Sequence, residues 1–211
     1  LNTSLANPVG VANVAANAVL AYRLGDHAQQ AQLYADPTGY APVNKPMFAL
    51  LPAGEDAISD CARWQPLAYL NAMAESKAPA FIAPHWGNVL PFALTSGNQH
   101  RPGPPQLPNT QAFLDQARHV VEVQASLSVE QKVMAEYWAD GPNSELPPGH
   151  WTEFAAFVVE RDGLDLAASV KLYFALANAI LDASIATWDC KRAYDYARPV
   201  TTIRHLYRGK R

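Results

Sequence analysis

Apolar positions recur at helical spacing in two parts of the chain and lose that rhythm in between. Val9, Ala12, Ala16, Val19 and Leu20 form one stripe, which predicts a helix from Pro8 to about Gly25, with Gly25 as its C-cap. From Tyr34 to Pro108 the period disappears. Twelve of the seventeen prolines fall there, and Asp36-Pro-Thr-Gly39, Leu51-Pro-Ala-Gly54 and Arg101-Pro-Gly-Pro-Pro105 read as turns. Trp64, Phe81, Trp86 and Phe92 punctuate the same segment. Such aromatic anchors predict an ordered wrap packed on a helical core, because a free linker would lack them.

Helical spacing returns after Asn109. Phe113, Ala117, Val120, Val121 and Leu127 predict an amphipathic helix capped by Asn109 or Thr110. Ser128-Val-Glu-Gln131 is a capping box for the next helix, expected to end near Asp140-Gly141. Trp151 to Arg161 predicts a short helix after Pro147-Pro148-Gly149. Asp165 can cap a run to Ala197, about 50 Å long at 1.5 Å per residue. Its stripe of Leu172, Leu176, Ala179, Ile180 and Ala183 is expected to lie at the centre of a bundle. No strand alternation and no Gly-rich phosphate loop stand out. The expected fold is therefore all-α. Residues 1–108 would supply the first helix and the wrap, and 109–211 a bundle portion.

Composition narrows the function classes. With 49% apolar and 17% charged residues, the chain can bury a substantial core and is not of the disordered type. The stretch Leu172–Trp188 is interrupted by Asn178 and Asp182, and at that length reads as too short and too polar to span a membrane. A net charge of −3 and the lack of a binding module argue against nucleic acid as a partner. The six histidines show no pair at zinc-ligand spacing, and no Gly-x-Ser-x-Gly elbow is present. His85 and His100 read as surface or capping residues. Cys61 and Cys190 admit either a disulfide in an exported protein or two reduced thiols. The chain starts at Leu1 rather than Met, which reads as a processed or fragmentary chain.

Charge reverses locally near the end. Lys191, Arg192, Arg198, Arg204, Arg208, Lys210 and Arg211 lie within the last 21 residues. Lys191 and Arg198 are seven apart, two helical turns, so an uninterrupted helix would put both on one face with Trp188 and Asp195. That phase turns Arg192 and Cys190 elsewhere. An ammonium and a guanidinium aimed at one spot suit a tetrahedral oxyanion. Spacing alone favours a solvated face whose cations complement the helix dipole.

The motifs separate these readings. Lys191, six intervening residues, then Arg198-Pro199 resembles the first motif of the vanadium-dependent haloperoxidases and their acid-phosphatase (PAP2) relatives. Asp182-Ala-x-Ile-x-x-Trp188 resembles the same superfamily, as does Glu136-Tyr-Trp-Ala-Asp-Gly141 followed by Pro147-Pro148. The resemblance implies a helical bundle of the vanadium haloperoxidase type with the proline-rich segment wrapped on it. It implies vanadate as cofactor, and halide oxidised by hydrogen peroxide. Lys191 would bond a peroxide oxygen, Arg198 would neutralise vanadate oxygens, and Trp188 would wall the halide site. Asp140 resembles a second-layer partner for an arginine of the site, although Asp before Gly is also an ordinary turn residue. Phosphate is the alternative occupant, in a phosphatase working through a phosphohistidine. A non-catalytic anion-binding module is the third reading.

The family's Pro-Ser-Gly-His motif and its later Arg and His do not occur between Leu1 and Arg211. The expectation is a C-terminal polypeptide of the same protein that supplies the axial histidine. It would also cover the apolar long helix, whose exposure alone would exceed the usual apolar patch of a soluble monomer.

Overall fold

A computed structural model describes residues 2–48, 58–71, 73–141 and 144–208. The expected turn at Leu51–Gly54, together with Lys210 and Arg211 of the basic end, lies outside the described residues.

About half of the chain is helical. Helix α1 spans Pro8–Arg23, α2 Gln111–Ala125, α3 Val129–Tyr137, α4 Leu146–Arg161, α5 Leu166–Tyr194 and α6 Pro199–Leu206. The caps follow from local chemistry. Asn7, Thr110, Ser128 and Asp165 each accept a backbone N–H of the first turn, and Ser128 and Gln131 form the reciprocal capping box. Helix α1 ends at Arg23 with Leu24 as its cap, one residue before the expected glycine. Helix α3 stops at Tyr137 rather than near Gly141. Helix α4 starts at Leu146, five residues earlier than expected, with prolines in its first turn, where no N–H partner is needed.

The wrap holds three short strands that the sequence does not announce: β1 (Met47–Phe48), β2 (Leu67–Leu70) and β3 (Ser76–Lys77). β1 runs parallel to β2, and β3 antiparallel to it. Elements of two to four residues are too short to display alternation. The wrap is ordered by buried polar groups. Asn44, 1% exposed, donates to the Asp60 and Arg63 carbonyls and accepts from Ser59 and Asp60. Asp36 accepts from the Thr38 hydroxyl and the Thr38 and Tyr40 amides, which forms the expected turn.

Helix α5 receives this wrap on one side. Ile185 is fully buried with Ala28 and Val89, flanked by Trp86 and Leu181. Trp86 donates its indole N–H to Ser184, 2.8 Å away. A Cβ on Gly87 would meet the Asp189 backbone at 2.6 Å, so the 86–88 turn lies directly on the helix. The Asp182 carboxylate accepts the Phe92, Ala93 and Leu94 amides at 2.6, 2.7 and 3.0 Å. Burial would raise its pKa, but these three donors outweigh it and hold the group below the usual aspartate value.

The rest of α5 is only partly covered by the described residues. It packs on α4 and the 86–88 turn, and Leu166, Val170 and Phe174 are exposed. At 29 residues it is shorter than the expected run to Ala197 but longer than the apolar stretch Leu172–Trp188. By length and composition alone it could cross a membrane, so shortness gives no reason to exclude that. The accessible surface is 14572 Å², against roughly 9,600 Å² for a compact monomer of this mass.

Candidate functional site

Helix α5 ends where two neighbours claim its cap. Asp195 adopts a left-handed conformation (φ 45°), and its amide donates to the Lys191 carbonyl at 2.9 Å. Its buried carboxylate accepts the Tyr40 hydroxyl at 2.6 Å and lies 3.6 Å from Arg63. The helix therefore stops at Tyr194, not Ala197. Arg198 is the extended N-cap residue of α6, and Pro199 opens that helix. Lys191 and Arg198 do not share a helical face. The turn between the two helices brings them together instead, and it takes Asp195 out of the group.

Both cations line one cavity of about 680 Å³. Trp188, Cys190, Tyr194 and Tyr196 share its wall, so Cys190 is not turned away as helical phase predicts. The opposite wall comes from the wrap: Trp64, Leu67, Pro79–Ile82, Pro102, Gly103 and Pro105. Three ties fasten the end of α5 to this wrap. Arg101 forms a two-pronged ion pair with Asp189 at 2.7 and 2.8 Å, Tyr194 donates to the Pro102 carbonyl, and Tyr196 donates to the Gln106 carbonyl at 2.6 Å.

Lys191 and Arg198 are both reached by solvent, yet neither has a carboxylate partner among the described residues. The Lys191 ammonium stands 3.9 Å over the Trp188 ring, whose N–H is anchored on the Ile82 carbonyl at 2.7 Å. Arg198 stands 5.6 Å over the Trp64 ring and donates to the Gln65 carbonyl at 3.3 Å. The protein walls, and then the Arg198 charge, hold Lys191 below the ordinary lysine pKa; burial also lowers Arg198. Arg192 points elsewhere and covers the Tyr40 ring at 4.6 Å.

Asp140 is not on the cavity wall. Its carboxylate pairs with His150 Nδ1 at 3.0 Å, so its partner here is a histidine and not an arginine. His150 is 3% exposed and stacks on Trp138. Ligand atoms of Asp140, Glu145 and His150 lie within 4.8 Å of one another, the one described cluster with metal-ligating potential. Sequence reading missed it because the spacing matches no helical pair. His85 takes the N-cap position of the 86–88 turn, without a side-chain cap bond, but is 2% exposed rather than a surface residue, with Nε2 3.2 Å from the Ala28 carbonyl. His100 is exposed, and Cys61 and Cys190 are separate half-buried thiols.

Comparison with known proteins gives this geometry a family. The VCPO second helical-bundle domain matches residues 171–211, which include most of α5, α6 and both cations. A holo-type bacterial vanadium-dependent chloroperoxidase superimposes over 100% of the chain with a TM-score of 0.75 and 26% identity. Together these matches support a vanadium haloperoxidase-like superfamily for the chain. An apo-type bacterial chloroperoxidase shares the fold over 98% of the chain (TM-score 0.78, 23% identity). A bacterial vanadium-dependent iodoperoxidase matches 69% of the chain at 29% identity and a TM-score of 0.55, over 37% of its own length. This haloperoxidase-like chain spans 47% of the length of each chloroperoxidase. No curated protein matches it.

Proposed function

We propose that the chain forms part of a vanadium-dependent haloperoxidase-like enzyme, and that Lys191 and Arg198 are its contribution to the oxyanion site. The observation that carries this reading is the pair itself. Two cations face one cavity with no carboxylate to neutralise them among the described residues. Such a pair fits a tetrahedral oxyanion and leaves a substantial charge unmet without one.

Vanadate, when bound, would supply the activation of hydrogen peroxide toward halide. Arg198 would hold its oxygens through the donors that Gln65 does not use, and Lys191 would donate to an oxygen of the bound group. Trp188 and the wrap would keep the halide side apolar. Asp140, paired with His150 and off the cavity wall, would act from a second layer only through a group outside the described residues. A C-terminal polypeptide of the same protein would bring the axial histidine and cover the exposed face at Leu166, Val170 and Phe174.

The test is an assay of the full-length protein for peroxide-dependent halogenation, with and without vanadate, beside phosphomonoester hydrolysis. Vanadate-dependent halogenation is the expected result. Hydrolysis without halogenation would reassign the site to phosphate, and neither activity would leave an anion-binding module.

A further inference from the structure

Arg198 lies outside any helix, so its direction must be set by something other than helical phase. The segment 61–65 of the wrap does this. Ala197 donates to the Ala62 carbonyl at 2.9 Å, the Trp64 amide donates to the Asp195 carbonyl at 2.7 Å, and Arg63 bridges Tyr196. Beyond Arg198, the Thr201 hydroxyl donates to Gln65 Oε1 at 3.1 Å and the Thr202 hydroxyl to the Cys61 carbonyl at 3.0 Å. The turn that carries Arg198 is thus pinned on both sides to one short stretch of chain.

Within that stretch the Trp64 ring is fixed. It is 8% exposed and meets Phe81 edge-to-face at 5.0 Å. Tyr40 meets it at 6.3 Å and is itself tied to Asp195. The guanidinium lies over the face of this ring. An aromatic face attracts a cation without supplying a counter-charge. A carboxylate in the same place would fix Arg198 equally well, but an incoming oxyanion would then have to compete with it.

We propose that Trp64 is a positioning residue for Arg198: its indole face holds the guanidinium on the cavity wall while leaving its charge open to an oxyanion. This rests on the oxyanion reading above. The assignment of Trp64 to packing alone, the reading its sequence context supports, is insufficient, because a packing role needs no cation over its face.

The test varies the ring's electrostatics at constant shape. In the full-length protein, Trp64 is replaced site-specifically by tetrafluorotryptophan, and orthovanadate and inorganic phosphate binding are measured by calorimetry beside the unfolding midpoint. The expected result is an affinity about five- to tenfold lower for both anions at an unchanged midpoint. Trp64→Phe should recover most of the affinity that Trp64→Leu loses. Wild-type affinity in the fluorinated protein would overturn the positioning role and leave the oxyanion reading intact. A wild-type protein that binds neither anion would overturn both.

Discussion

The Lys191 ammonium stands 3.9 Å above the ring of Trp188, three residues earlier on the same helix. The contact is local, i to i+3, and helical geometry supplies it directly. What aims the pair at the cavity is not local. The indole N–H is anchored on Ile82, more than a hundred residues away in sequence.

Lys191 predicts a pH dependence. Its lowered pKa means that the protein disfavours the ammonium, and a bound anion would reverse this. Binding of sulfate, whose charge stays constant, should weaken as pH rises from neutral through that lowered pKa. Lys191→Met should flatten the profile and cost about tenfold in affinity at neutral pH, or some 1.4 kcal/mol. A wild-type profile as flat as the variant's would count against a role for the ammonium.

Arg198 and Arg192 should separate cleanly. Arg198→Ala removes a cavity cation and should lower vanadate affinity by tenfold or more, about 1.5–3 kcal/mol for a charged hydrogen bond. Arg192→Ala removes a cation from the Tyr40 ring and should change it by less than about threefold, the size of an exposed cation–π contact. Vanadate titration of both variants checks the assignment.

Asp182 should matter to stability rather than to anion binding. A carboxylate whose folded pKa is depressed contributes stability above its unfolded pKa and loses it as pH falls through the folded one. Asp182→Ala should cost about 2–4 kcal/mol at neutral pH, because three amides lose their acceptor. The gap to wild type in urea unfolding should narrow in acid. A gap independent of pH would show that the charge is immaterial.

Gly87 should not tolerate a methyl group. The Asp189 backbone, 2.6 Å from where a Cβ would sit, cannot move without shifting the helix that carries Trp188 and Lys191. Gly87→Ala should lower stability by about 1–3 kcal/mol and also weaken anion binding. Unfolding and titration of the same variant report the two effects separately.

Helix positions were largely legible because their signals are local. Ser128 with Gln131, Thr110 and Asp165 each define a cap within four residues. The first motif was legible as a pair of residues, and Lys191 and Arg198 do line one cavity. The reason for their meeting was not legible. It depends on Asp195 entering a left-handed turn, which Tyr40 and Arg63 stabilise from distant sequence. His150 and Asp140 escaped for the same kind of reason, since a ten-residue offset across a turn follows no regular period. Short strands and the contact of Trp64 with Arg198 likewise arise from tertiary packing.

The ties between wrap and helix end have a kinetic consequence. Arg198 to Gln65 spans 133 residues, Tyr194 to Pro102 spans 92, and Arg101 to Asp189 spans 88. Chain segments of that length close slowly, because their ordering entropy is lost before the contacts that offset it have formed. Helix α5 forms from local bonds and can be complete while the cavity has no second wall. The cavity is therefore among the last features to assemble during refolding, and oxyanion affinity should emerge later than helical circular dichroism.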